Sequence, residues 1–155
     1  MNLSVIIPVY NSSSIILKLV SKISEEILKI KRISTYQIVL INDCSEDSSW
    51  SEISKICNQE KFIVGINLMK NYGQHNAIMA GINIAEGDYV ITMDDDFQHS
   101  PTEISNILDR MEEGYDVCYT NYKNNKYNAF KVFSSRLNNK ISNFLINKPK
   151  NIYLS

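Results

Sequence analysis

At 155 residues the chain is one domain's worth of polypeptide, long enough to bury a sizeable core, and its 44% hydrophobic and 21% charged make-up is that of an ordinary soluble globular domain. A formal net charge of −1 gives no overall pull towards nucleic acid or acidic membranes, and no apolar run approaches the ~20 residues a membrane-spanning helix needs. Cys44, Cys57 and Cys118 are odd in number and lack metal-ligand spacing. The N-terminus opens directly into a strand pattern with no signal-peptide features, so reduced thiols in a cytoplasmic compartment are expected.

Residues 3–8, Leu-Ser-Val-Ile-Ile-Pro, form a continuous β-branched run that predicts a strand covered on both faces. Tyr10 and Asn11 end it, and Ser12, Ser13 and Ser14 are expected to cap the following helix. That helix runs from Ile15 to about Arg32, with a stripe of Ile16, Leu19, Val20, Ile23, Ile27 and Ile30. Residues 37–41 predict a second buried strand ending in Asn42-Asp43-Cys44-Ser45, after which Asp47 or Ser48 caps a helix through Ile53 and Ile56. Residues 62–68 predict a third strand with the polar exit Met69-Lys70-Asn71-Tyr72-Gly73, followed by a helix over residues 74–85. Gly87-Asp88 turns into a fourth strand, Tyr89-Val90-Ile91-Thr92-Met93, which drives into Asp94-Asp95-Asp96. A helix over residues 101–113, a Gly114 cap and a fifth strand over residues 116–120 follow. The alternation of strand and helix predicts an α/β fold, a mostly parallel sheet with helices on both faces.

Residues 121–128 are rich in Tyr, Asn and Lys without an apolar period and read as a mobile loop. Residues 130–146 are amphipathic, with Phe130, Phe133, Leu137, Ile141, Phe144 and Leu145 on one side. This segment either packs in a core or lies on a membrane surface. The expected division is a core over residues 1–120 and, over residues 121–155, a loop and helix that begin a truncated acceptor-side region. The stop at Tyr153-Leu154-Ser155 lacks a closing signal and predicts an excised fragment, inactive alone.

Four strand ends carry polar groups: Pro8-Val9-Tyr10-Asn11, Asn42-Asp43, Lys70-Asn71-Tyr72-Gly73 and Asp94-Asp95-Asp96. In a parallel sheet these lie along one edge and build a composite cleft. Asp94 and Asp96, at i and i+2, point to one side if the backbone stays extended. Both then reach a hard cation, and Mg²⁺ and Mn²⁺ favour carboxylate oxygens and bridge substrate phosphates. Gln98 repeats the spacing with a neutral oxygen. The plain alternative is a solvated acidic turn before the Pro101 helix. Asp43 is suited to a base or ribose, or to an Asx turn with Ser45. Lys70 is suited to phosphate or simply to solvent, and Gly73 allows close backbone approach before a helix N-terminus. His75 and His99 have no partner at metal spacing, so a surface hydrogen-bonding role competes with a ligand role. No dinucleotide or P-loop glycine motif is present.

The ordered motifs Val5-Ile6-Ile7-Pro8-Val9-Tyr10-Asn11, Ile41-Asn42-Asp43-Cys44-Ser45-Glu46-Asp47, Asn71-Tyr72-Gly73-Gln74-His75, Gly87-Asp88 through Gln98, and Glu113-Gly114-Tyr115-Asp116-Val117 resemble family-2 inverting glycosyltransferases with the GT-A fold. The branch they resemble charges polyprenyl phosphates, as dolichyl-phosphate mannose synthase and bactoprenol glycosyltransferases do. The resemblance implies that Pro8, Val9, Tyr10, Asn11, Asp43, Lys70, Gly73, His75 and Asp95 bind the nucleotide sugar, with Ile41 beside the base. It implies that Asp94 and Asp96 are the Asp-x-Asp pair, and that Asp96, Gln98 and Asp94 hold Mg²⁺ or Mn²⁺. Departures are Ser12 and Ser13 where the family has Glu, Asn42 for the first Asp, Cys44 for Gly, and Asn121 and Tyr122 where the branch has Arg. Lys123 or Lys126 is then the substitute.

The function implied is inverting sugar transfer from a nucleotide-diphosphate donor to an acceptor, polyprenyl phosphate first, in cell-envelope polysaccharide or glycolipid synthesis. Peripheral contact at the cytoplasmic face of the membrane is implied for the full-length protein, and no nucleic-acid partner. A hydroxyl acceptor would need a carboxylate base, from Asp95 or from the missing part. The other readings are a nucleotidylyltransferase, which would open with a Gly-rich basic loop, and a non-catalytic nucleotide-sugar-binding module.

Overall fold

The computed structural model describes residues 1–97 and 100–120, with a compact unit over Met1–Cys118. Strands β1 (Asn2–Val9), β2 (Thr35–Asn42), β3 (Ile63–Asn67) and β4 (Tyr89–Thr92) alternate with helices α1 (Ile16–Lys29), α2 (Ser49–Gln59) and α3 (Gln74–Ile82). A 3₁₀ turn at Pro101–Glu103 then leads into α4 (Ile104–Glu112). The sheet is parallel, in the order β3-β2-β1-β4. The α/β architecture expected from the alternating pattern is the one found.

Period-two alternation sorts β1 and β2 between two cores. Leu3, Val5, Ile7 and Val9 of β1, with Ile38 and Leu40 of β2, pack on the face shared with the stripes of α1, α2 and α4. Ile6, Val39 and Ile41 face the other way, onto Ala77 of α3. Every β1 residue from Leu3 onward is buried, which explains why this strand reads as a continuous apolar run rather than an alternating one. The single buried polar side chain within β1, Ser4, is used: its hydroxyl donates to Gln37 Oε1 (3.0 Å) and accepts the Gly87 N–H (2.9 Å), docking the turn into β4.

Two expectations need correction. Residues 116–120 form no strand, and Val117 and Tyr119 are 62% and 84% exposed; a β-prone pentapeptide needs a neighbouring ladder, and none meets it among the described residues. The serines before α1 do not cap it with their side chains; instead the Ser12 carbonyl accepts the Ile15 and Ile16 N–H groups. Of the two candidates before α2, Asp47 is the one used: its Oδ1 accepts the Ser49 N–H at 2.9 Å, while Ser48, in the N-cap position, makes no side-chain cap bond. Gln98, His99, the loop over residues 121–128 with its Lys123 and Lys126, and the amphipathic segment over residues 130–146 lie outside the described residues.

Candidate active site at the carboxyl edge of the sheet

The chain runs outward from β1 to β2 to β3, then returns to set β4 against the opposite side of β1. The connections leave the sheet in opposite directions between β1 and β4, and a crevice opens at such a switch point beyond the strand C-termini. Register widens it. The β1–β4 ladder ends at Ile6↔Thr92, with one further bond from Met93 N–H to the Ile6 carbonyl (3.0 Å), while β1 runs on to Val9. The acids that follow Met93 therefore lie beside a stretch of β1 to which they are not paired.

The resulting cleft has a volume of about 340 Å³ and is lined by Pro8, Val9, Tyr10, Asp43, Asn71, Gly73, Gln74, Asp94, Asp95 and Asp96. Eight of these were expected from the sequence. Asn71 and Gln74 carry no individual role in the sequence reading, although Asn71 stands in the polar exit after β3 and Gln74 opens the helix that follows. Four expected residues do not line the cleft. Ile41 is fully buried under α3. The Asn11 side chain is turned away, its Oδ1 accepting the Glu46 (2.8 Å) and Asp47 (3.4 Å) N–H groups. Lys70 lies over the Tyr72 ring, 5.0 Å from its centroid, and His75 is exposed on the first turn of α3.

The acids have separate surroundings. The backbone leaves the extended conformation after Met93 and bends through residues 95–97, with Phe97 at φ 60°, so strand alternation does not govern where Asp94 and Asp96 point. Asp94 Oδ1 accepts a 2.6 Å bond from Gln74 Nε2. Asp95 Oδ2 accepts the Tyr10 N–H at 3.3 Å, tying the acid loop to the end of β1. Burial pushes the Asp95 carboxyl above its ordinary pKa; hydrogen bonds from the Ser12 hydroxyl and the Tyr10 amide oppose this, and the Asp96 charge adds to it. Asp96 is the most exposed of the three. Among the described residues no three His, Cys, Asp or Glu side chains are arranged to hold a metal by themselves.

Asp43 is only 4% exposed, and both its oxygens are occupied: Oδ1 accepts the Tyr72 N–H and Oδ2 the Gly73 N–H, each at 2.8 Å. The expected Asx turn with Ser45 is not made by Asp43; the Ser45 N–H points instead to Asn42 Oδ1 at 3.4 Å. On the far side, Asp47 Oδ2 accepts the Ser13 N–H (3.0 Å). Desolvation works against that carboxylate, but its bonds from Ser49 and Ser13 outweigh it and hold the group well below the usual carboxylate range.

Comparison with known proteins gives this edge a context. The family model described as "Glycosyl transferase family 2" matches residues 4–154. The undecaprenyl-phosphate 4-deoxy-4-formamido-L-arabinose transferase of Proteus mirabilis is 37% identical over 137 residues, 88% of this chain and 41% of the relative. The chain thus spans well under half the length of that curated relative. The crystal structure of S. aureus TarS residues 1–349 with UDP superposes with a TM-score of 0.56 at 22% identity, covering 80% of this chain and 40% of that one. A mannosyltransferase from Pyrobaculum calidifontis, solved with GDP-Man and Mn²⁺, gives 0.53 at 20% identity, over 61% of this chain and 27% of its own. At such identities these two likenesses establish the GT-A type of fold. With the family model covering nearly the whole chain, the protein belongs to glycosyl transferase family 2.

Proposed function

We propose that this chain is the donor-binding part of an inverting glycosyltransferase that moves a sugar from a nucleotide diphosphate to polyprenyl phosphate in cell-envelope synthesis. The observation that carries the reading is the switch-point cleft, which gathers Asp94, Asp95 and Asp96 opposite the Asp43-held loop of a family-2 domain. The polyprenyl-phosphate acceptor is supported by the name of the 37%-identical relative. A lipid phosphate is already anionic and attacks without a general base. Asp95, whose Oδ2 is engaged by the Tyr10 N–H, is better placed to brace the loop than to abstract a proton. In this reading Pro8, Val9, Tyr10 and Gly73 line the donor subsite. The Asn71 and Gln74 side chains complete its polar wall.

Hard carboxylate oxygens in an open cleft fit Mg²⁺ or Mn²⁺, which take one or two protein carboxylates together with substrate phosphates. Asp96 and Asp94 are the residues that would hold such an ion, with Gln98 as the third donor from the sequence. Bound there, the cation would supply charge neutralisation at the leaving diphosphate. The protein's own contribution is to present the two acids from a braced loop and to keep the donor's diphosphate beside them. The site of action is the cytoplasmic face of the membrane, where the lipid acceptor is charged.

The full-length protein, incubated with radiolabelled nucleotide sugars and polyprenyl phosphate, should transfer label into the organic-soluble lipid fraction only with Mg²⁺ or Mn²⁺ present. Asp96→Ala should reduce that transfer by roughly 100-fold or more, the scale of losing a preorganised electrostatic group. Transfer that is unaffected by Asp96→Ala, or by chelation, would remove the metal-dependent enzyme from consideration.

A further inference from the structure

The β1–β2 ladder ends at Val9↔Asn42, with one further bond from the Asp43 N–H to the Val9 carbonyl (2.9 Å). Past that rung both chains turn through positive φ, at Asn11 (54°) and Cys44 (57°), and run on to α1 and α2. Among the described residues no main-chain bond joins the two connections beyond it. Yet Pro8, Val9, Tyr10 and Asp43, where the connections begin, wall the cleft. Side chains take over where the ladder stops. The N–H groups of Asn11, Ser12 and Ser13, three in a row, donate to Ser45 Oγ (3.0 Å), Ser49 Oγ (2.9 Å) and Asp47 Oδ2 (3.0 Å). In return, Asn11 Oδ1 accepts the Glu46 N–H (2.8 Å) and the Asp47 N–H (3.4 Å). Ser49 is fully buried, so the middle of this lacing is shielded from water. Asn11 bonds in both directions, and asparagine suits the place: it tolerates a left-handed backbone and its side-chain oxygen accepts main-chain N–H groups.

We propose that Asn11 is a positioning residue for the nucleoside end of the donor: from behind the cleft wall it ties the exit of β1, with Tyr10, to the exit of β2. The strand order places the effect. β2 and β4 lie on opposite sides of β1, so the lacing stands on the β2 side and Asp94 and Asp96 on the β4 side. With the donor's diphosphate beside those acids, its nucleoside end points towards the lacing. The ligand named here rests on the donor-binding reading above, and the mechanism rests on the hydrogen bonds alone. Tyr10, 47% exposed at the cleft and next to Asn11 in the chain, is the wall residue whose place depends on it most directly. A wall held by side-chain bonds loosens when one of them is lost, while the ladder beneath it stays intact.

Two measurements on the full-length protein and its Asn11→Gly and Asn11→Asp variants test this. Glycine adopts φ 54° without strain but lacks the oxygen, whereas aspartate tolerates the turn and keeps an oxygen in the same place. The first measurement needs no ligand: amide hydrogen exchange at Glu46 and Asp47. Asn11→Gly should speed exchange at both by roughly 5-fold or more, the scale of one hydrogen bond, while β1 and β2 amides stay protected. Asn11→Asp should leave both slow. Unchanged exchange in Asn11→Gly overturns the tie. The second is calorimetric titration with UDP, GDP and CDP, each with and without Mn²⁺, and displacement of the tightest binder by its nucleoside. Asn11→Gly should weaken nucleoside and diphosphate by the same factor, roughly 3- to 10-fold, and leave the Mn²⁺-dependent gain in diphosphate affinity as it was. Asn11→Asp should bind the nucleoside as the unmodified protein does. Equal loss of nucleoside affinity in both variants shows that the Asn11 amide nitrogen meets the donor itself and overturns the proposal. So does a loss confined to the Mn²⁺-dependent part, or undiminished affinity in Asn11→Gly. If the unmodified protein binds no nucleotide, the donor-binding reading fails and the positioning role fails with it, while the exchange data still decide whether Asn11 ties the two connections.

Discussion

Gly81→Ala sets two effects of known size against each other. In the last turn of α3, alanine should gain about 1 kcal/mol over glycine from helix propensity. Against that, a Cβ at position 81 would sit 2.6 Å from Ile6 Cγ2 and 2.8 Å from Ile41 Cδ1, where ordinary contacts begin near 3.4 Å. Both isoleucines are fully buried in the sheet face beneath α3, so neither can swing into solvent. The Ile6 methyl sits on a β-branched carbon with little rotamer freedom and cannot move without its backbone. Overpacking of this kind costs ~1–3 kcal/mol. The cost exceeds the propensity gain, and a net destabilisation of about 1 kcal/mol is expected. Urea unfolding followed by circular dichroism should show a lower midpoint at unchanged slope. Adding Ile41→Val, which removes the 2.8 Å contact but not the 2.6 Å one, should recover part of the loss, giving a favourable coupling in the double-mutant cycle. A Gly81→Ala protein as stable as the original, or more so, would show that α3 does not press on the sheet as described.

Gly87→Ala should be worse, roughly 3 kcal/mol, because its Cβ would meet backbone, Ser4 N at 2.5 Å and Leu3 C at 2.7 Å; a midpoint loss smaller than that of Gly81→Ala would refute the close docking of the β4 turn. Cys44→Gly should stabilise by about 0.5 kcal/mol: releasing an L residue from φ 57° returns ~1–2 kcal/mol, while glycine's unfolded-state freedom takes back ~0.4–1 kcal/mol, and a lower melting temperature would count against that strain. The Asp47 carboxyl has its folded-state pKa depressed from 3.8, so its stabilising contribution is complete above about pH 4 and is lost as pH falls below that value. Asp47→Asn should therefore be less stable at neutral pH and should flatten the acid limb of a stability–pH curve measured by urea unfolding; an acid limb of unchanged steepness would show that the Ser13 and Ser49 bonds do not hold that carboxylate.

The parts of this fold that can be read from the sequence are those set by local pattern. The buried runs over residues 3–8 and 37–41, the stripe of α1 and the acids after Met93 all state their place through periodicity and composition. What could not be read depends on partners distant in the chain. The β-prone residues 116–120 look like a strand, but a strand exists only where a neighbour supplies its ladder. Ile41 alternates with Leu40, and only the crossing of α3 decides that its side chain fills a core instead of a pocket. Asp43 reads as a ligand-binding acid or an Asx turn; its actual partners are main-chain N–H groups some thirty residues on, which carry no residue code. Gln74 was legible only as a member of a motif. A polar residue opening a helix straight after a strand exit was the available signal, and its target, Asp94 beyond the end of β4, required the strand order.

The backbone itself marks the same edge. Among the described residues with side chains, positive φ is confined to Asn11, Cys44 and Phe97, and these follow the ends of β1, β2 and β4; Gly73 at φ 85° does the same for the chain leaving β3. Each such turn costs an L residue ~1–2 kcal/mol, less for Asn, against a net folding stability of ~5–15 kcal/mol. A fold indifferent to this edge would have relaxed these turns or filled them with glycine. Here each turn is locked by what it brings together. Asn11 folds over so that its side chain holds the Glu46 and Asp47 amides, and Cys44 follows directly on the carboxylate that clamps residues 72–73. Phe97 curls back to pack against the core next to the acids. Turns beyond each strand, directly after β1 and β2 and a few residues later after β3 and β4, bring the polar ends together, which is the geometry that a cleft for a multiply charged ligand requires. The strain thus falls where the chemistry would be, and relieving it at Cys44 while leaving Asp43 intact should raise stability without loosening the clamp.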